Sequence, residues 1–271
     1  MNEQVKKALF VIVTAFIAIA AFIYVMANGF ALPGHVSHVE KRPAKEIEWS
    51  FDGPFGTVDK QSAQRGYQVY KEVCASCHSM KLFSFRDLSG IGFSDAEIKE
   101  IAKEYKYPDI DDSGEPIERD GKANDKFHSP YPNPQAAAAA NGGATPPDLS
   151  LIIKAREEGA NYVDSILTGY GENPPAGREI PPGKYYNPYF PGGVIAMPHP
   201  LSDDQVTYQD GTKATVEQMA HDVVSFLQYA AEPEMQHRKE MGIKVIIFLC
   251  FFTVFFYIAK VRIWADVKKK K

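Results

Sequence analysis

Apolar positions recur at helical spacing in several separated stretches of the chain, with polar connections between them. Residues 62–77 place Tyr70, Val73, Cys74 and Cys77 on one face and predict a helix. Ser94 and Glu97 form a capping box ahead of Ile98, Ile101, Ala102 and Tyr105, which predicts a second amphipathic helix. Asp148 is placed to cap a helix running through Arg156 and closed by Gly159, and Asn161 to cap another closed by Gly169. Thr215 and Gln218 open the clearest case, with Val216, Met219, Ala220, Val223, Leu227 and Ala230 on one face, until Pro233 interrupts it. No stretch shows the alternation of a half-buried strand, and no internal repeat is visible.

Between these helices the chain is irregular. Residues 32–58 mix Pro, Gly and charge and read as an extended entry segment; 109–120 is an acidic turn region; 121–147 is loop broken by a run of alanines at 136–140. Thirteen of the 19 prolines fall between positions 130 and 200, a long aperiodic stretch that a compact domain tolerates when something large and apolar organises it.

The two ends are different. Residues 8–26 are apolar and follow Lys6 and Lys7, with the small-x-small triplet Gly29-Phe30-Ala31 beyond them. That is the pattern of a secretory signal over residues 1–31, the alternative being an uncleaved anchor. Residues 245–259 are a second apolar run, bracketed by Lys244 and Lys260. Alone they would span about 22 Å as a helix; extended over 236–264, with flanking lysines reaching outward, they can cross a bilayer. The flanking charges and the Phe-rich run favour a membrane span over a buried core helix. Arg262 and Lys268 to Lys271 then mark a cytoplasmic tail at 265–271, so the domain at 32–235 is exported.

The exported part carries the charge imbalance. The whole chain has 30 basic and 34 acidic residues; setting aside 1–31 (2 basic, 1 acidic) and 244–271 (7 basic, 1 acidic) leaves 21 against 32 over residues 32–243, a net of −11. Such a surface repels nucleic acid and draws cationic partners. Of three cysteines, Cys250 lies in the apolar helix, so a disulfide scaffold is excluded and only Cys74 and Cys77 remain in an oxidising compartment.

Those two belong to Cys74-Ala75-Ser76-Cys77-His78, the attachment pattern of a c-type haem. Cysteines three apart can reach the two vinyl groups of one porphyrin, and the adjacent imidazole falls beneath the iron as proximal ligand. A thioredoxin-like pair would want a βαβ frame, and a structural zinc site a second ligand pair; neither is present. The sixth ligand must come from elsewhere in the chain. Met80 is too close to His78, Met26 lies in the signal, Met235 and Met241 approach the membrane, and Met219 sits on a core face. Met197, in an aperiodic loop, is the preferred candidate, with His199 and His128 as alternatives. A filled coordination sphere suits an electron carrier; a haem reductase or peroxidase would need an open position, revealed by tight carbon monoxide binding to the reduced protein.

Many ordered segments together resemble the cytochrome c1 family, the haem subunits of quinol:cytochrome c oxidoreductases. They are Arg65-Gly66-Tyr67-Gln68-Val69-Tyr70-Lys71-Glu72-Val73 leading into the haem motif and Ser79-Met80; Pro146-Pro147-Asp148-Leu149-Ser150; Ala155-Arg156; Tyr162; Leu167-Thr168-Gly169-Tyr170; Tyr186-Asn187-Pro188-Tyr189-Phe190-Pro191-Gly192; Ile195-Ala196-Met197; residues 226–234; His237-Arg238; and Met241-Gly242. The resemblance implies His78 and Met197 as axial ligands of one haem c, Arg156 near a haem propionate, and Asn141, Pro147 and Tyr162 lining the pocket. It implies a mostly α c-type cytochrome domain with long Pro-rich loops plus one C-terminal transmembrane helix, in the inner membrane with the haem domain periplasmic. The implied role is one-electron transfer from a Rieske iron–sulfur protein to a cytochrome c, with cytochrome b beside the anchor, no catalysis by this subunit alone, and a dimeric complex. An independent tethered cytochrome is the alternative. Some bacterial members stiffen the domain with a disulfide; this chain lacks the cysteines for one. Asp109, Asp111, Asp112, Glu115, Glu118 and Asp120 are read as a landing area for a basic cytochrome c, against a merely solvated loop.

Overall fold

A computed structural model describes residues 14, 16–20 and 41–269. The signal expected over 1–31 and the entry residues 32–40 lie almost wholly outside the described residues. Among those described, helices α1 (Lys60–Glu72), α2 (Asp95–Lys103), α3 (Pro134–Ala140), α4 (Gly159–Thr168), α5 (Val216–Ala231) and α6 (Met235–Lys269) dominate. Short 3₁₀ turns at Cys74–Ser76, Phe85–Ile91 and Pro191–Gly193 link them.

The domain is built on the crossing of α1 and α5. Gly66 allows it: a Cβ there would meet the Asp222 carbonyl oxygen at 1.9 Å and the Phe226 Cβ at 2.9 Å. Beside Gly66, Arg65 donates two hydrogen bonds to Asp222 (2.8 and 3.0 Å) and one to Asp210 (2.9 Å). The Asp222 carboxylate is fully buried, so leaving it unpaired would be costly. Around the crossing Tyr67, Tyr70, Phe83, Phe85, Phe127 and Phe226 form one aromatic core. A smaller core of Tyr162, Ile166, Tyr189 and Ile195 lies apart, and Met197 and Val163 pack against both.

Local rules account for the capped helices. Ser94 and Glu97 make the reciprocal capping box of α2, Asn133 accepts from Ala136 N at α3, and Thr215 accepts from Gln218 N at α5. Four expectations need correction. The helix expected over 62–77 ends at Glu72, because Cys77 N and His78 N both donate to the Cys74 carbonyl and tighten the chain into a 3₁₀ turn. No helix follows Asp148: its carboxylate accepts from Ser79 Oγ, Lys81 N and Ser150 N, which holds 148–155 in turns. Gly159 therefore opens α4 instead of closing a helix, with Glu158 ahead of it at φ +64°, and the Asn161 side chain accepts from Trp49 Nε1 (2.7 Å) instead of capping. Strands do occur. β1 (Lys106–Ile110) and β2 (Pro116–Asp120) pair antiparallel across the acidic segment, and β3 (Tyr185–Tyr186) pairs with β4 (Val194–Ile195). The first hairpin is solvated on both faces, so it leaves no alternation to read.

Helix α6 starts directly after α5 and leaves the domain. Among the described residues, nothing covers the apolar stretch within its residues Met235–Ala265. At about 1.5 Å per residue the helix is long enough to cross a bilayer. Its first turns are fastened to the domain: Lys239 Nζ donates to the carbonyls of Phe51 (2.7 Å), Gly53 (2.8 Å) and Gly56 (3.0 Å).

Candidate functional site

Helix α1 delivers the chain into the turn that carries Cys74, Cys77 and His78. Both thiols are free and half-buried. Burial pushes the Cys74 thiol up to about 12, with Cys77 adding to the shift. A sulfur held there stays uncharged, which is unfavourable for thiolate–metal bonding but costs nothing for a thioether. His78 is half-buried, and its Nδ1 lies 2.8 Å from the Pro147 carbonyl oxygen. The carbonyl can only accept, so Nδ1 carries the proton and Nε2 is the atom left to bind a metal. Burial also lowers the His78 pKa, keeping the ring neutral.

Pro147 is held in place by the segment that follows it. Asp148 ties Ser79, Lys81 and Ser150 together, Leu149 N donates to the Ser79 carbonyl (2.8 Å), and Leu82 N donates to Ser150 Oγ (3.0 Å). Burial works to raise the Asp148 pKa, but hydrogen bonds from Ser150, Lys81 N and Ser79 outweigh it and hold the carboxyl below its ordinary value.

Met197 lies two residues beyond β4, half-buried at the seam of the two cores, and its carbonyl accepts from Tyr170 Oη (2.9 Å). The other candidates for an axial ligand are occupied differently. His199 is exposed and stacks on Tyr170 (4.9 Å between centroids), and His128 lies against Tyr105 and Tyr107. Met80 and Met219 are fully buried in the large core.

Tyr162 is buried in the small core, and Arg156 is close enough to oppose the rise that burial imposes on its hydroxyl. Arg156 itself donates to the Ala155 carbonyl and has no carboxylate partner among the described residues. Asn141 ends α3 and is fixed by bonds to Tyr131 Oη and the Ala137 carbonyl. Among the described residues no cluster of three or more His, Cys, Asp or Glu side chains could hold a bare metal ion. The site offers two cysteine sulfurs, one imidazole nitrogen, one thioether at a seam between cores and one guanidinium without a carboxylate among the described residues. That set fits an iron porphyrin with its acidic side groups and fits a hard cation poorly.

Sequence patterns do not reveal Glu158 or the pairing of Arg65 with Asp222. The first signals itself only by φ > 0, and the buried pair joins residues 157 positions apart.

Fold and site thus define a mostly α cytochrome-type domain followed by one long apolar helix. Residues 49–267 match the model of the cytochrome C1 family. The chain is 50% identical over 230 residues to "Cytochrome c1, heme protein, mitochondrial" of Saccharomyces cerevisiae, covering 84% of this chain and 74% of the yeast one. It is 48% identical over 237 residues to "Cytochrome c1" of Rhodospirillum rubrum, covering 82% and 87%. It is 49% identical over 224 residues to the Candida albicans "Cytochrome b-c1 complex catalytic subunit, mitochondrial", covering 82% and 78%. The chain belongs to the cytochrome c1 family.

Proposed function

We propose that this chain holds one haem c, attached through Cys74 and Cys77 and ligated by His78 and Met197, and passes single electrons from a Rieske iron–sulfur protein to a cytochrome c. In this reading it is the haem subunit of a quinol:cytochrome c oxidoreductase, dimeric as a complex, and makes no bonds of its own. Helix α6 anchors it beside cytochrome b, with the haem domain periplasmic and the C-terminus cytoplasmic. The observation that carries the reading is the turn at Cys74–Ser76: it presents both sulfurs and an imidazole whose Nδ1 is engaged by Pro147, within a chain of the cytochrome c1 family.

The haem supplies a one-electron couple; the polypeptide does the rest. His78 stays neutral and oriented by Pro147. Met197 supplies a soft thioether, which favours ferrous iron and raises the potential relative to bis-histidine ligation. Asn141, Pro147 and Tyr162 close the pocket, and Arg156 balances propionate charge. Mild detergent extraction of native membranes, followed by a haem and iron–sulfur inventory, tests the assignment. Co-purification of b-type haem and a Rieske centre with the covalent haem is expected. A chain that emerges alone with its haem intact would instead be an independent tethered cytochrome.

A further inference from the structure

We infer that residues 41–45 are a brace that positions Met197, by stapling together the two walls of the small core on which Met197 rests. The inference rests on the ligation proposed above. One wall is α4, which contributes Tyr162 and Ile166; the other is the segment 187–195, which contributes Tyr189 and Ile195. Among the described residues, the hydrogen bonds that join these walls from within are few. Asn187 Nδ2 donates to the Ile166 carbonyl (2.8 Å), and the Asn187 and Gly193 backbones pair inside the second wall. Only four side chains of this core are buried, and regions with few buried apolar contacts are the ones that open most readily.

The brace crosses it from outside. Toward α4, Lys41 Nζ pairs with Glu158 (2.5 Å) and sits over the Tyr162 ring (5.1 Å to its centroid). Ala44 N donates to the other Glu158 oxygen (2.9 Å), Lys45 N to Ser165 Oγ (2.8 Å), and Lys45 Nζ to Thr168 Oγ1 (2.6 Å). Toward the second wall, Arg42 N donates to the Pro188 carbonyl (2.8 Å) and its guanidinium lies over the Tyr189 ring (5.3 Å). The same guanidinium forks onto Glu172 (2.6 and 2.8 Å), in the loop that leaves α4. Ala44 packs directly on the small core. No brace side chain belongs to the site. Its action passes through Tyr162, Tyr189 and Ile195 to Met197, so Lys41, Arg42, Ala44 and Lys45 are positioning residues.

If the brace holds the thioether in place, loosening it raises the fraction of molecules in which Met197 is released. An external ligand then binds more tightly in proportion to that fraction. The measurement is imidazole binding to the oxidised full-length protein, together with the near-infrared charge-transfer band of thioether-ligated ferric haem. Lys41→Ala/Arg42→Ala should bind imidazole about tenfold more tightly, with a weakened band and unchanged covalent haem. The reversed pair Arg42→Glu/Glu172→Arg should restore both toward wild type, while Arg42→Glu alone should not. Met197→Leu serves as the reference. Wild-type imidazole affinity and band in the brace variants, beside tight binding in Met197→Leu, would overturn the brace alone. A Met197→Leu protein with wild-type affinity and band would overturn the ligation and the brace with it.

Discussion

The Nδ1 atom of His78 is bound to the carbonyl oxygen of Pro147 at 2.8 Å, across 69 residues of sequence. That bond fixes the tautomer and the plane of the imidazole before any metal is considered. On the proposed ligation the two thiols and the imidazole have separable duties. His78→Ala should keep the haem covalently attached, while the reduced protein becomes five-coordinate and binds carbon monoxide. Haem lost on acid–acetone extraction, or a six-coordinate spectrum as in wild type, would contradict this.

Met197 has the opposite signature. Met197→Leu removes a soft donor and should lower the midpoint potential markedly with the haem still attached. A redox titration that returns the wild-type potential within error would make Met197 the wrong ligand.

Asp148 is the knot that keeps Pro147 against His78, and its charge matters. Its carboxyl titrates lower in the fold than in the unfolded chain. The stabilisation is therefore fully present above an unfolded value of about 3.9 and fades as pH falls through the depressed native value. The group is partly solvated, so a discounted figure of about 1–2 kcal/mol is appropriate for replacing the charged acceptor by an amide. Asp148→Asn should unfold at a lower temperature than wild type at pH 7, and the gap should narrow as pH drops below about 4. A gap independent of pH would assign the loss to shape and not charge.

Gly66 sets two helix preferences against each other. Alanine in a helix is favoured over glycine by about 1 kcal/mol. Here its Cβ would lie 1.9 Å from a backbone oxygen of α5, which no rotamer change can relieve. Forcing the helices apart costs up to about 3 kcal/mol and strains the Arg65–Asp222 pair beside it. Gly66→Ala should therefore lower thermal stability despite its better helix propensity; equal or higher stability would show that α1 can shift without penalty.

What is legible in the sequence follows the range of the interaction. The Ser94–Glu97 box, the Thr215 cap and the Cys74–His78 motif are written within five residues, and each is readable. Asp148 looks like a helix cap because its nearest neighbours suit one. The partners that redirect it, Ser79 and Lys81, lie 69 and 67 residues away. The same holds for Lys41–Glu158, 117 residues apart, inside a segment that reads only as extended and charged. The strands at 106–120 are invisible for another reason. A hairpin solvated on both faces buries nothing, so no periodic pattern is imposed on its side chains.

That hairpin also divides the six acids of the proposed landing area into two kinds. Asp109 is bonded to Arg119 (2.7 Å), Asp120 is paired with Lys106, and Asp111 accepts from Ser113 and Glu115 N to shape the turn. Asp112, Glu115 and Glu118 are exposed, and among the described residues their carboxylates make no hydrogen bond or ion pair. Exposed charge that is not tied up in a hydrogen bond or close ion pair acts farthest, over about 10 Å at 0.1 M salt, so these three should dominate steering of a basic cytochrome c. The triple variant Asp112→Asn, Glu115→Gln and Glu118→Gln neutralises them without changing their size. It should flatten the salt dependence of the second-order electron-transfer rate. The comparison that matters is a second triple, Glu46→Gln, Glu48→Gln and Glu179→Gln, which removes the same charge from exposed positions elsewhere. If net charge alone draws the partner, both variants flatten the dependence equally. If the hairpin is where the partner lands, only the first does. A salt dependence unchanged in the first triple would remove the hairpin from the encounter altogether.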